Sequence, residues 1–227
     1  MKKKIVILTG AGMSAESGIN TFRDADGLWE GHDVMEVASP EGFRKNPELV
    51  LNFYNQRRSQ LAEVKPNSAH IALANLEDKY DITIITQNVD DLHERAGSTD
   101  IIHLHGELLK ARSVNDDNLL YHCDKDILLG DLSPTGKQLR PHIVWFGEAV
   151  PLLEKAAEIT STADILLIIG TSMQVYPAAS LINYVRANTF IYFIDPNPAI
   201  KSSDFTTLKV ISEKASIGVK KLIENYL

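Results

Sequence analysis

Gly10–Trp29, GAGMSAESGINTFRDADGLW, follows a short apolar run, Ile5-Val6-Ile7-Leu8, that reads as a buried strand. Gly10 and Gly12 permit a tight turn, and Ser14-Ala15-Glu16-Ser17 begins like a helix. A strand entering a glycine turn that opens a helix makes a diphosphate cradle, because free backbone N–H groups and the positive end of the helix dipole both favour an anion. The spacing Gly10-x-Gly12-x-x-Ala15 satisfies the loose dinucleotide fingerprint, which alone is a weak signal. The continuation says more. A conventional dehydrogenase would run on to a second strand ending in an acid about 20 residues later. Here Gly18-Ile19-Asn20-Thr21-Phe22-Arg23-Asp24 and Gly27-Leu28-Trp29 carry no strand pattern. They read as an ordered loop with an aromatic ring, an arginine and acids, placed to cover a cofactor.

Working outward, apolar runs at 5–8, 82–86, 101–104, 143–146, 165–169 and 190–194 read as strands. Helical patterns cover 47–64, 68–79, 152–161, 177–188 and 216–226, with Asn67 or Ser68 able to cap the second. Strands alternating with helices imply an α/β fold, a Rossmann-like doubly wound parallel sheet. Two segments break the alternation. Asp33–Lys65 is helical with no strand before it, and Lys110–Leu139 is polar without a clear period. The expected division is therefore a Rossmann-like domain from 1–32, 66–109 and 140–227, with a small inserted domain from 33–65 and 110–139. A cleft between two such lobes is a usual ligand site.

The chain has 227 residues, enough to bury a core without staples. Its net charge of −7 argues against nonspecific nucleic-acid binding, which relies on basic patches, but suits basic peptide substrates. A single cysteine, Cys123, precludes an intramolecular disulfide framework and fits a reducing compartment. The apolar run after Met1-Lys2-Lys3-Lys4 is too short for a signal core, and no run approaches a membrane span. The expectation is a cytoplasmic chain with no membrane partner.

Several strand ends carry reactive residue types. His103 and His105 share one side of a strand end, where open sheets place reactive groups. Imidazole suits proton abstraction near neutral pH, but periodicity does not choose between the two. Gln87, Asn88 and Asp90 supply amides and a carboxylate that suit ribose hydroxyls and a carboxamide; a plain turn fits them as well. Gly170-Thr171-Ser172 ends another strand with small residues that let backbone approach a ligand. Asp195-Pro196-Asn197-Pro198 also reads as a turn.

Together these blocks resemble the sirtuin family of NAD-dependent protein deacylases. The matching segments are Gly10–Trp29, Thr86-Gln87-Asn88-Val89-Asp90, His103-Leu104-His105-Gly106-Glu107-Leu108, Val144-Trp145-Phe146-Gly147-Glu148 and Gly170-Thr171-Ser172, in family order. The resemblance implies a lysine deacylase that consumes NAD as co-substrate and yields nicotinamide, O-acyl-ADP-ribose and free lysine. It selects His105 as the base, with Asn88 beside it. Gln87, Asn88 and Asp90 would hold the nicotinamide and its ribose. Gly10, Ala11, Gly12, Ser14, Ala15, Thr21, Phe22, Arg23, Trp29, Gly170, Thr171 and Ser172 would complete the NAD site, Arg23 near the phosphates and Phe22 shielding the ribose. Asp195, Asn197 and Ala215 fall where family members contact adenosine, although Asp195 stands where an asparagine is usual and Asn197 where an acid is frequent. Val144, Trp145, Phe146 and Gly147 resemble the stretch that pairs with substrate peptide by strand addition.

Phe53-Tyr54-Asn55-Gln56-Arg57-Arg58 resembles the desuccinylase and demalonylase branch. Tyr54 and Arg57 lie three apart on a predicted helix and share a face. The resemblance makes them grip an acyl carboxylate; a solvated surface helix is the plain alternative. Many sirtuins hold a structural zinc with four cysteines, but here Ser113 stands where a first cysteine is often found and Cys123 is the sole thiol. No zinc is expected, so the lobe would rely on Leu119, Leu120, Tyr121, Ile127, Leu128 and Leu129. The expected partners are acylated-lysine proteins, and the expected state is a monomer. A protein ADP-ribosyltransferase and a non-catalytic NAD or ADP-ribose sensor are the alternatives.

Overall fold

Residue alternation along the central strand builds a two-sided core. In the computed structural model, which describes residues 2–20, 28–201 and 204–227, strand Lys4–Thr9 lies in the middle of a six-stranded sheet. Successive side chains of a strand point to opposite faces. Ile5 and Ile7 thus join Ile84, Leu167 and Ile169 under helices Ser68–Asn75 and Ala215–Tyr226. Val6 and Leu8 join Ile85, Leu166, Ile168 and Phe193 beneath the opposite layer, helix Leu153–Ser161 and the 3₁₀ segment Ala178–Tyr184. Apolar side chains on both faces explain why these strands are continuous hydrophobic runs.

The sheet order is Leu208–Ile211, Phe190–Ile194, Ile165–Ile169, Lys4–Thr9, Asp81–Thr86 and Ile101–His103, with every pairing parallel. This is a Rossmann order, in which the direction of strand addition reverses between Lys4–Thr9 and Ile165–Ile169. Thr9 is in register with Ile169, so Gly10 and Gly170 emerge side by side at the carboxyl ends, where open α/β sheets bind ligands.

A second, antiparallel sheet orders Asp116–His122, Gly106–Ser113 and Leu139–Ile143. It corrects two sequence readings. Ile143–Phe146 was expected as one strand; Ile143 instead ends a strand of the small sheet, and Val144–Phe146 runs on without strand pairing. The run is apolar because it lines a cleft, with Phe146 43% exposed, not because it enters the core sheet. Lys110–Leu139, which showed no period, contains a hairpin whose alternation is obscured because Leu119 and Leu120 are exposed. The small sheet begins at Gly106, ahead of the boundary expected at 110.

Of the six residues expected to pack this lobe, Ile127 is buried, whereas Leu119, Leu120, Leu128 and Leu129 face solvent. Polar bonds from helix Pro47–Glu63 do much of the holding. The Asn55 side chain donates to the Ile127 carbonyl and accepts from its N–H, both at 3.0 Å. Arg58, expected in water on the plain reading of this helix, is buried; it donates to Asn55 Oδ1 at 2.7 Å and to the Leu108 carbonyl at 3.2 Å. Leu51, Ala111 and Ile127 form the adjoining apolar cluster. No helix among the described residues is long and apolar enough to cross a membrane.

Candidate active site

The glycine turn after Lys4–Thr9 is bound directly to the turn after Ile165–Ile169. Gly10 N–H donates to the Ile169 carbonyl at 3.1 Å and Gly12 N–H to the Gly170 carbonyl at 2.8 Å. A Cβ on Gly12 would sit 2.8 Å from Gly170 Cα, closer than real side chains approach. The helix expected from Ser14 starts at Ala11, lasts one turn and continues as the 3₁₀ segment Ala15–Ser17. Its anchor is Asn67, which caps helix Ser68–Asn75 and donates to the Met13 carbonyl at 2.9 Å.

Three side chains follow in series on this wall. Asn88 Nδ2 donates to the Gly10 carbonyl and to Ser14 Oγ, both at 3.1 Å, and Ser14 Oγ donates to Asp90 Oδ2 at 2.9 Å. Burial pushes the Asp90 carboxyl above its ordinary range, with the Ser14 and Leu92 bonds opposing. Gln87 Nε2 reaches Thr171 Oγ1 at 3.1 Å, tying the two halves of the sheet together.

His105 stands where the chain leaves the core sheet for the small one. Gly106 makes that turn with φ +85°, and a Cβ there would lie 2.0 Å from the His142 carbonyl. His105 Nδ1 is 3.1 Å from the Gln87 carbonyl, an acceptor, so Nδ1 carries the proton and Nε2 is bare. Burial pushes the imidazole below its ordinary value, with the Gln87 bond opposing, which keeps it neutral at neutral pH. His103, inseparable from it by periodicity, does not line the cleft and instead contacts Glu94 and the Asn88 carbonyl.

These groups line one cleft of about 710 Å³. It collects Gly10, Ala11, Gly12, Ser14, Ala15, Trp29, Gln87, Asn88, Asp90 and His105. Gly170, Thr171, Ser172, Asp195 and Asn197 line it too, as do Tyr54, Arg57, Val144, Trp145, Phe146 and Gly147. Asp195 Oδ1 accepts from the Asn197 N–H at 2.8 Å, so the turn seen in the sequence is present within the cleft wall. Ala215 is the exception: it is buried in the core at the start of its helix, and Lys214 before it lines the cleft. Sequence reasoning missed Lys214, although its neighbour had been singled out. Thr21, Phe22 and Arg23 lie outside the described residues.

Arg57 presents an unusual charge to this cleft. Its Nε and Nη1 are buried with no hydrogen-bond partner among the described residues, and its Cζ lies 4.9 Å from the Phe53 ring centroid. Burial pushes the guanidinium down from its ordinary value, with Glu30 opposing.

Residues 10–177 match the model of the Sir2 family. This chain belongs to the Sir2 family. An NAD-dependent protein deacylase of Helicobacter pylori is 66% identical over 194 residues, covering 86% of this chain and 85% of that relative. One of Bacteroides thetaiotaomicron is 52% identical over 226 residues, covering 97% and 96%. The structure of a Sir2 homologue in complex with NAD superimposes with a TM-score of 0.87 at 39% identity, over 98% of this chain and 89% of that one. A Sir2 protein bound to acetylated peptide gives 0.80 at 29% identity, over 98% and 93%. No group of three or more His, Cys, Asp or Glu side chains able to hold a metal occurs among the described residues of this Sir2 chain.

Proposed function

We propose that this chain is an NAD-dependent protein-lysine deacylase whose pocket prefers acyl groups ending in a carboxylate, as in succinyl- and malonyl-lysine, over acetyl-lysine. The observation that carries the preference is the buried, partnerless edge of Arg57 in the cleft. Two buried donors without partners are costly, and an acyl carboxylate accepting both of their hydrogen bonds would satisfy them. Tyr54 lies on the same helix and also lines the cleft.

The glycine-walled cleft at the switch point suits a dinucleotide in size and polarity. NAD, when bound, supplies the electrophilic ribose carbon that accepts the acyl group as nicotinamide leaves. Gly10, Ala11, Gly12, Ser14, Ala15, Gly170, Thr171 and Ser172 present backbone and hydroxyls to its phosphates and ribose. Asn88 and Asp90, coupled through Ser14, orient the nicotinamide end, and Asp195 and Asn197 meet the adenosine end. His105 takes a proton at its bare Nε2. Val144–Gly147 pairs with the substrate backbone. In this reading the enzyme works without zinc, as a cytoplasmic monomer, on proteins and not on nucleic acid.

The test is to incubate the enzyme with NAD and a peptide carrying acetyl-, succinyl- or malonyl-lysine, following nicotinamide and peptide mass. Loss of the acyl mass with nicotinamide release, faster for the acidic acyl groups, is the expected result. Mass gain on protein would favour ADP-ribosyl transfer, and silence a sensor. Equal rates on all three acyl groups would refute the preference alone.

A further inference from the structure

We infer that His103 is a positioning residue: a doubly protonated imidazole that ties the Asn88 carbonyl to the Glu94 carboxylate and so fixes the loop bearing Asn88. The inference rests on the proposed role of Asn88 at the nicotinamide end of the cleft.

The argument is one of donors and acceptors. His103 Nδ1 is 3.2 Å from the Asn88 carbonyl oxygen, and its Nε2 is 2.6 Å from Glu94 Oε1. A carbonyl accepts only, and so does an ionised carboxylate. A neutral imidazole has one N–H and would leave one of these contacts without a proton; the imidazolium satisfies both. The Glu94 contact has the short length of a charge-assisted bond. His105 differs in this respect, because it meets a single acceptor, the Gln87 carbonyl. The two histidines therefore grip consecutive carbonyls of one loop, His105 neutral and His103 charged. The loop they hold carries Asn88, whose amide meets Gly10 and Ser14.

The surrounding charges agree. Burial works against the His103 cation, but the Glu94 bond and charge, with Glu107, outweigh it and hold the imidazole above its ordinary value. Asp90, from the same loop, also feels this charge. Its other neighbour, His93, is kept neutral by burial, and Lys110 is drawn to Glu107 at 2.7 Å. As pH rises past the elevated value, the ring loses a proton and one of its two bonds. The loop should then loosen on the alkaline side, separately from any titration of His105.

The experiment has two arms. First, ¹⁵N-histidine NMR of the whole protein at neutral pH, assigned against His103→Gln, should show both ring nitrogens of His103 protonated and one nitrogen of His105 bare. A bare nitrogen on His103 overturns the inference. Second, Glu94→Gln keeps a partner at Nε2 but removes the charge. Its KM for NAD should rise about tenfold, the size of one charge-assisted bond, with kcat changed less and the alkaline limb of kcat/KM displaced. An unchanged KM and pH profile in a protein shown to be folded by circular dichroism overturns it. If Glu94→Gln does not fold, the nitrogen spectrum of the unaltered protein decides. If that protein releases no nicotinamide from NAD, the deacylase reading falls, while the spectrum still judges the clamp.

Discussion

The indole Nε1 of Trp145 donates to the Tyr54 hydroxyl at 3.0 Å, with both rings buried. This bond joins the segment proposed to pair with peptide to the helix proposed to bear the acyl pocket. Arg140 covers the other aspect of the indole, its Cζ 3.3 Å from the ring centroid, and is gripped by both oxygens of Glu148 at 2.7 and 3.1 Å. Burial pushes the Tyr54 phenol well above its ordinary value, the Trp145 bond opposing, so it stays protonated across the working range. Tyr54→Phe deletes the acceptor of a buried N–H. Leaving such a donor unmet costs about 1–3 kcal/mol. The urea unfolding midpoint should fall accordingly; an unchanged midpoint would mean that the indole finds another acceptor.

Arg57→Met should separate the acyl groups. Two charge-assisted bonds to a carboxylate are worth enough to lower kcat/KM on succinyl-lysine by roughly 10–100-fold. Acetyl-lysine offers no carboxylate and should lose less than about threefold, within the effect of lost packing alone. Removing two buried donors that lack partners among the described residues should leave stability equal or higher, readable as Tm. Equal losses on both peptides would sink the carboxylate-binding role.

His105→Ala should abolish the bare Nε2 without disturbing the glycine turn, which is held by backbone bonds to Ile169 and Gly170. Loss of a general base lowers rates by about 10²–10⁴-fold. NAD affinity by calorimetry should change far less than kcat. A variant with near-normal turnover would move the base to another residue.

The core sheet was legible because five of its strands are apolar on both faces, which leaves a plain signature in the chain. Leu208–Ile211 was missed because a four-residue edge strand with Lys209 in it carries little pattern. The small sheet was missed for a related reason: its leucines at 119 and 120 face water, and Pro141 interrupts a strand whose partner lies far off in sequence. Most of the candidate site residues line the cleft because strand ends in an open sheet converge by topology. Side-chain partners were not legible. Nothing in the spacing of His103 and His105 says that one meets a carboxylate and the other a lone carbonyl. Likewise, Arg57 and Arg58 are neighbours in sequence, yet Arg58 is bound to Asn55 and Leu108 while Arg57 keeps two buried donors without a partner among the described residues.

Gly12→Ala tests the cradle. The added Cβ would lie 2.8 Å from Gly170 Cα and 2.9 Å from its carbonyl oxygen. Gly170 is itself packed against this turn, since a Cβ built on it would lie 2.3 Å from Met13 N. Overpacking of this kind costs about 1–3 kcal/mol. The two strand ends would be forced apart where the dinucleotide is proposed to sit, so NAD affinity should fall more steeply than stability. Calorimetric titration against NAD, alongside Tm, measures both; unaltered affinity would place the cofactor elsewhere.

His70 and His93 set an acid limit on the fold. Both are buried, with ring centroids 4.9 Å apart. Burial lowers His70 to about 4, and burial with the neighbouring His70 and His103 lowers His93 to about 3. Both are therefore neutral when folded, while the unfolded chain protonates them near pH 6.5. Where the unfolded state binds more protons, stability rises with pH. These two groups thus contribute their full stability above about pH 6.5. That contribution is lost as pH falls toward about 4 for His70 and about 3 for His93, on the order of 3–5 kcal/mol per histidine. Because the His93 ring also contacts Thr9 Oγ1 at 3.1 Å, His93→Gln can retain that bond while removing the titration. Urea unfolding across this range should show a shallower acid slope in His93→Gln than in the unaltered chain. Identical slopes would mean that His93 does not contribute to acid unfolding.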